Sequence, residues 1–260
     1  MCSLRRTSPE QPPTNYDSYY DSIAHQYDAL RLDGGPELAA TLSSILNHLP
    51  VAPEPILDVG CGTGRYAQHL AQRNLSVIGV DRSRAQLAQC SSIVSKVCAM
   101  VERMPLGNST IGMCMMVMML HQLSSASRRQ AIFECRRVTR PGGTIFIKTR
   151  SREDLKKRFI NQYLPSTLQL NLQRYPSIET LIAELEAEGF TNIQVKPTET
   201  EIILPVEELL DRITQRHNTT LYLVPPAELD HALIKLRADL VGTTSVRQKL
   251  HHTIVTATTW

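Results

Sequence analysis

Along the chain the spacing of apolar residues switches repeatedly between continuous runs and a helical period. Residues 55–60 and 76–81 are short, apolar and β-branched, the pattern of strands buried on both faces, and 65–73 between them repeats at the spacing of an amphipathic helix. The three together form a strand, helix, strand unit. The alternation continues with a helix at 83–92, a strand near 95–100, a strand at 111–118, a helix at 125–138 and a strand at 144–149 fed by Arg140-Pro141-Gly142-Gly143. Strands that alternate with helices need crossover connections, so a parallel sheet with right-handed crossovers is expected.

The flanks read differently. Apolar positions recur at helical spacing from Tyr16 to Leu49, and Asp33-Gly34-Gly35-Pro36 separates a short helix from a second one over 37–48. Residues 1–15, with Pro9, Pro12 and Pro13 among Ser, Thr and Arg, offer too little to bury and are expected to be a disordered tail. Beyond 150 come a basic helical stretch around 152–164, a helix at 177–188 and an apolar β-rich segment at 190–204. Helices at 205–216 and 226–240 and a strand at 252–258 complete the chain. No Gly- or Ser-rich linker divides it, so 16–260 is expected to be one domain. Its parts are helices at 16–49, an alternating strand and helix core at 50–150 and a mixed part with helical insertions at 151–260.

Composition narrows the classes. A length of 260 residues suits one large α/β domain, and 42% hydrophobic with 20% charged residues excludes a disordered chain. The net charge of +3 gives no mandate for DNA or an anionic membrane. Residues 128–158 hold eleven basic side chains against three acidic ones, but with only Phe133 and Phe146 among them a solvated face is the plainer reading than an RNA footprint. The first residues have charge without an apolar stretch behind it, so neither a signal nor an anchor is expected. The longest apolar run, 113–120, is far shorter than the roughly 18 residues of a membrane span. Six cysteines without a CxxC pair or a His at ligand spacing read as reduced thiols of a cytoplasmic protein, with no metal site.

The chemistry concentrates in Ile56-Leu57-Asp58-Val59-Gly60-Cys61-Gly62-Thr63-Gly64-Arg65, a strand running through a glycine turn into a helix. Without Cβ atoms a nucleotide-like ligand can approach this backbone, and free amides at the helix start could receive its acceptors. A dinucleotide fingerprint would need a third glycine where Arg65 stands, and no Lys-Ser or Lys-Thr follows at P-loop spacing, so NAD and nucleoside triphosphates are disfavoured. What fits is an adenosine ribose without a pyrophosphate. Asp81, at the end of the second strand, could accept two hydrogen bonds from ribose hydroxyls or cap the helix that begins near Ser83.

These residues resemble the small-molecule branch of the class I S-adenosylmethionine-dependent methyltransferases. Asp58-Val59-Gly60-Cys61-Gly62-Thr63-Gly64 matches their first motif and Val80-Asp81 their ribose acid. Tyr20-Asp21-Ser22-Ile23-Ala24-His25-Gln26-Tyr27-Asp28, Met104-Pro105, Leu120-His121-Gln122-Leu123 and Arg140-Pro141-Gly142-Gly143 follow in the family's order, over about 16–150. The resemblance implies an α/β fold: a seven-stranded Rossmann-like sheet with helices on both faces and helical lid insertions. It implies S-adenosyl-L-methionine as cofactor and S-adenosyl-L-homocysteine as product.

By the same resemblance Gly60, Gly62 and Gly64 would line the methionine and ribose portion, with Cys61 and Thr63 in the same loop. Asp58 would orient the loop and the cofactor's amino group, Asp81 would hold the ribose, and Tyr27 with Arg31 would close over the methionine end. Arg82, Val101, Glu102 and Val117 complete the cofactor set. His121 would face the transferring methyl, either as a general base or as a positioned wall residue. Tyr19, Tyr20, Tyr163, Tyr175 and Tyr222 are the candidate substrate contacts. Two positions depart from the family: Met100 precedes Val101 where an Asp is usual, and Gly112 replaces an Asp early in the fourth strand. A backbone carbonyl near Met100 to Glu102 could stand in for the first carboxylate.

Cys61, with no base in view, is a small filler. Met113, Met115 and Met116 should pack a buried strand, and only Met118 and Met119 should reach a pocket. The expected activity is methyl transfer to an N, O or C nucleophile of a small molecule such as a secondary metabolite. A monomer or homodimer without nucleic-acid partner would carry it out. An RNA or protein methyltransferase and a cofactor-binding relative without catalysis are the alternatives.

Overall fold

The buried apolar runs are strands of one mixed sheet in the computed structural model, which describes residues 21, 23–26, 35–50 and 54–260. In chain order the elements begin with α1 (Pro36–Leu46), β1 (Ile56–Val59), α2 (Arg65–Ala71), β2 (Val77–Asp81) and α3 (Arg84–Gln89). They continue with β3 (Ser95–Cys98), β4 (Ile111–Val117), α4 (Ser125–Val138), β5 (Thr139–Thr149), α5 (Arg152–Lys156), α6 (Ser166–Arg174) and α7 (Ile178–Ala187). The last are β6 (Phe190–Pro205), α8 (Val206–Thr214), α9 (Thr219–Leu223), α10 (Pro226–Asp239) and β7 (Ser245–Thr259). The expected tail at 1–15 lies outside the described residues, as does most of the helix expected before Asp33; a 3-10 turn at Ala24–Gln26 is described there.

The seven strands stand in the order β3-β2-β1-β4-β5-β7-β6. β1 to β5 pair in parallel, as their alternation with helices required, and β7 enters antiparallel between β5 and β6. Side-chain alternation sorts the core into two layers. Met113, Met115, Phe146 and Ile254 face α1 and α2, and Cys114, Met116, Ile145 and Ile147 face α4 and α7. The three core methionines have no exposed surface, as their strand position required. A buried bidentate pair, Arg128 to Glu184 at 2.7 Å through both nitrogens, ties α4 to α7.

The β6–β7 ladder runs from Phe190 opposite Thr259 to Pro205 opposite Ser245, but β5 accompanies β7 only as far as Thr149 opposite Thr253. Residues 198–205 and 245–252 therefore project past the carboxyl edge of the sheet as a two-stranded arm. Its outer face carries Arg247–Glu201 and Lys249–Glu199 pairs at 2.7 Å, which is why this half of β7 read as polar chain rather than strand. The arm supports a third apolar cluster in which Leu204 packs with Leu209, Ile213, Leu221, Leu233 and Leu236 of α8 to α10. Two helices of this region escaped the sequence reading. α6 buries Thr167 and Asn171, a polar pair at helical spacing, and α9 is a single capped turn whose Asn218 accepts from the Thr220 and Leu221 amides. The basic stretch read at 152–164 is α5 followed by a 3-10 turn at Phe159–Gln162.

Candidate active site

The loop after β1 turns sharply enough that Gly62 and Gly64 sit at φ of 57° and 75°, the left-handed region that residues with a Cβ enter at a cost. Four of its amides are spent inside the protein. Gly60 and Cys61 donate to the Val80 carbonyl at 2.8 and 3.0 Å, Gly62 donates to Asp81 Oδ2 at 2.8 Å, and Gly64 donates to the Cys61 carbonyl at 2.9 Å. The parallel neighbour β2 supplies most of these acceptors, so at these positions the loop offers a ligand its surface rather than its donors. Gly64 also takes a different place: a Cβ there would lie 2.3 Å from Cys90 Sγ, and the residue is absent from the cleft wall. Its role is the packing of α2 against the end of α3.

A cleft of about 360 Å³ opens above this loop at the carboxyl edge. Asp58, Gly60, Cys61, Gly62, Thr63 and Asp81 line one side, and Arg82, Val101, Glu102 and Val117 line others. Met118 and Met119 reach it, as their position beyond the strand required. Asp58 is buried, and burial together with the nearby Asp81 charge pushes its carboxyl up to about 7. Burial also raises Asp81, against the opposing pull of the amides of Ser83 and Gly62. The helix cap is Ser83, whose hydroxyl accepts from Gln86 N at 3.1 Å, so Asp81 is not the cap. Its Oδ1 accepts from Ser83 N at 2.9 Å and its Oδ2 from Gly62 N, which fixes the carboxylate and leaves each oxygen further lone pairs. Among the described residues neither Asp58 nor Asp81 has a cation within ion-pair distance. Burial drives the Cys61 thiol far above its usual value, so this side chain is no nucleophile.

S-adenosylmethionine fits this donor set. A buried and a half-buried carboxylate without cations suit an ammonium or sulfonium and a vicinal diol, and Val101, Val117, Met118 and Leu123 suit a purine. The amides spent inside the loop match a ligand without phosphate. Met100 stands exposed in the cleft wall where a carboxylate is usual. Gly112, the other departure, sits at the opposite edge of the sheet, where a Cβ would lie 2.7 Å from Glu54, the partner of Arg140. It has no part in the cleft. The sequence reading passed over Asp21, which lines the cleft and accepts from the Ser83 hydroxyl at 2.5 Å.

A second cavity, of about 300 Å³, adjoins the first and shares Arg65, Tyr66 and Met118 with it. Met118 ends β4 at φ 54°, a strained conformation for a residue with a Cβ, held by its amide bond to the Lys148 carbonyl at 2.9 Å. His121 lines this second cavity and not the cleft. It stacks on Tyr175 with ring centres 4.4 Å apart and planes 7° from parallel. Arg174 Nη2 donates to Gln122 Oε1 at 2.9 Å, which turns the Gln122 amide nitrogen toward His121 Nε2 at 2.7 Å. An amide nitrogen only donates, so His121 Nε2 is an acceptor already in use.

Tyr175 lines the cavity, but Tyr163 and Tyr222 line neither space. Tyr163 packs in the cap cluster between Phe159 and Lys235, drawn off by its apolar packing, and Tyr222 is not in the wall of the cavity that its neighbour Leu221 lines. Tyr19, Tyr20, Tyr27 and Arg31 lie outside the described residues. Sequence reasoning missed Arg150, Arg158 and His252, which come together in the cavity wall. Arg150 follows β5 directly, and the rule that ligands meet the carboxyl ends of parallel strands was the signal available for it.

A methyltransferase domain family matches residues 57–147. The tRNA (carboxymethyluridine(34)-5-O)-methyltransferase of Arabidopsis thaliana is 30% identical over 166 residues, 62% of this chain, and the match spans only 38% of that protein's length. The malonyl-[acyl-carrier protein] O-methyltransferase of Serratia marcescens is 27% identical over 207 residues, covering 68% of this chain and 78% of that one. A solved structure from Anabaena variabilis, described as a methyltransferase of an antibiotic biosynthesis pathway, superposes with a TM-score of 0.68 at 19% identity, covering 85% of this chain and 97% of the other. It shares the fold.

Proposed function

We propose that the chain is a class I S-adenosylmethionine-dependent methyltransferase and that it transfers a methyl group from S-adenosylmethionine to an N, O or C nucleophile of a small molecule. One observation carries the substrate class: the second cavity is of small-molecule size and is walled by α8, α9 and the arm of β6 and β7, next to the cofactor cleft. Bound S-adenosylmethionine supplies an electrophilic sulfonium methyl. Asp58 and Asp81 hold its cationic and diol groups, Gly60 and Gly62 let it lie against the backbone, and Val101 and Val117 cover its apolar part. Met118, His121 and Tyr175 shape the cavity in which the nucleophile is placed. Such positioning supplies roughly 7–11 kcal/mol without a strong base. With Nε2 engaged by Gln122, His121 serves as a wall rather than as the base.

The basic run at 128–158 supports the same choice over an RNA substrate. Arg128, Arg137, Arg140 and Lys148 are consumed in pairs with Glu184, Glu134, Glu54 and Glu37, while Arg150 and Arg158 turn into the cavity. What remains outside is no continuous basic face. Among the described residues no helix is long and apolar enough to cross a membrane. The reading is of a cytoplasmic monomer or homodimer.

Calorimetry tests the cofactor: S-adenosylmethionine and S-adenosylhomocysteine bind, and NAD and ATP do not. Comparable affinity for NAD would sink the assignment. Incubation of the protein and S-adenosylmethionine with a metabolite extract should yield a species heavier by one methylene, and methylation confined to bulk tRNA would overturn the substrate class.

A further inference from the structure

The second cavity has an unbalanced wall. Among the described residues its one carboxylate, Glu37, is engaged by Lys148 and lies 3.9 Å from Arg65. Arg212 is held by Glu208 at 2.7 Å. Arg150 and Arg158 have no carboxylate within ion-pair distance among the described residues. Both partners of Arg150 are uncharged: its Nη2 meets Nε2 of the buried His252 at 2.9 Å and its Nη1 donates to the Tyr175 hydroxyl at 3.5 Å. Burial, and after it the charges of Arg150, Lys148 and Arg158, hold this imidazole well below its usual value, so it is neutral and accepts. His252 therefore aims the guanidinium without neutralising it. Arg150 Nε is buried and without a hydrogen-bond partner. Burial, and then the Arg150 charge, lower the Arg158 guanidinium to about 10.

Two neighbouring guanidinium groups turned into a cavity without counter-charge are costly to the ligand-free protein, and an oxyanion with two or more acceptor oxygens removes that cost. The rest of the wall is mixed: Ile160, Ile202, Leu209, Ile213 and Leu250 supply apolar surface beside polar side chains such as Asn171, Thr220 and Gln248. We infer that Arg150 and Arg158, aimed by His252, form a subsite for a carboxylate or phosphate monoester group of the methyl acceptor, which carries that acid on a partly apolar body. This rests on the methyltransferase reading and adds the acceptor's charge and shape to it. Arg150 and Arg158 are specificity-determining contacts, and His252 is a positioning residue.

The test uses the full chain saturated with S-adenosylhomocysteine, titrated by calorimetry with hexanoate, hexyl phosphate, hexanol and hexylamine. The acids should bind at least about tenfold more tightly than hexanol and hexylamine, and the stronger of the two identifies carboxylate or phosphate as the group read. Arg158→Met and Arg150→Gln should each weaken the acids by about 10- to 100-fold, the range for hydrogen bonds to charged groups. Arg158→Lys should retain most of the binding, and the affinity for S-adenosylhomocysteine should stay unchanged throughout. Since Arg158 lacks a counter-ion, Arg158→Met should also raise the Tm of the ligand-free protein. A fall in Tm would make the arginine a structural element and overturn the subsite. Acids that bind no better than hexanol, or equally well to both variants, would overturn it too. Failure of the wild-type chain to bind S-adenosylhomocysteine would instead strike the methyltransferase reading.

Discussion

The two adjoining spaces at the carboxyl edge are built on opposite charges and from opposite kinds of sequence. The cleft holds Asp58 and Asp81 with no cation of the described residues within ion-pair distance, and half of its wall comes from residues 58–66 and the end of β2. The second cavity gathers Arg150 and Arg158 with no carboxylate of the described residues within ion-pair distance of either, from a strand end, a turn and an arm as far apart in sequence as Glu37 and His252. In each, the protein leaves charge uncompensated where a ligand of the other sign is to sit. The first can be recognised in sequence because its geometry is local, whereas the second exists only once β7 has folded back beside β5.

This contrast can be broken at several points. The largest effect belongs to the loop under the acidic cleft. Gly64→Val forces a β-branched residue to a φ of 75° against Cys90, and chemical denaturation should show a loss of about 2–4 kcal/mol. A stability within 1 kcal/mol of wild type, by the same roughly additive reckoning, would mean the loop can rearrange. Asp81→Ala comes next. It should weaken S-adenosylhomocysteine binding by about 1.5–3 kcal/mol and leave hexanoate or hexyl phosphate binding unaltered. A change in both would show that the two spaces are not independent.

The third handle is proton linkage at Asp58. Its folded-state value of about 7 exceeds the unfolded 3.8, so the ligand-free protein should lose stability as pH rises from about 4 to 7, because the unfolded chain gives up the proton first. A cationic ligand favours the ionised carboxylate, so cofactor affinity should climb by up to about tenfold per pH unit below 7 and then level, with a proton released on binding. Titration in two buffers of different ionisation enthalpy reads that proton. Affinity flat from pH 5 to 8, or a dependence that survives in Asp58→Asn, would place the cationic contact elsewhere. The smallest effect is expected for His121→Ala: less than about tenfold in turnover with an unchanged pH profile, since only shape is lost. A drop of about 100-fold or more accompanied by loss of the pH dependence would restore the general base.

How far the sequence foretold this follows the same division. β1 to β5 and the helices between them lie close to their expected bounds, because buried parallel strands and amphipathic helices leave strong periods. The antiparallel entry of β7 was not legible, since its first half alternates polar residues along a solvent-facing ribbon. α6 hides its buried face behind Thr167 and Asn171. In the site, Asp58, Gly62 and Asp81 line the cleft that the motif pointed to, but Gly64 showed that a glycine required by the backbone need not face the ligand. Of the arginine subsite only Arg150 had a signal, its place directly after β5, and Arg158 had none, because hydropathy treats every arginine as a surface residue and cannot tell a guanidinium turned inward.

The arm bears on how such a chain can change over generations. Pro205 and Ser245 are paired across the ladder, and Val206 N donates to the Thr244 carbonyl at 3.1 Å, so the 39 residues between Pro205 and Ser245 leave and re-enter the protein at nearly one point. A segment whose ends are already pinned is a closed loop, and doubling the length of a closed loop adds only about 0.6 kcal/mol of chain entropy. Residues 206–244 can therefore be lengthened, shortened or exchanged as a cassette without disturbing the register of β6 and β7 or the glycine loop on the far side of the sheet. A lineage carrying this scaffold can acquire new acceptors by trading that cassette while the methyl-donor end stays fixed.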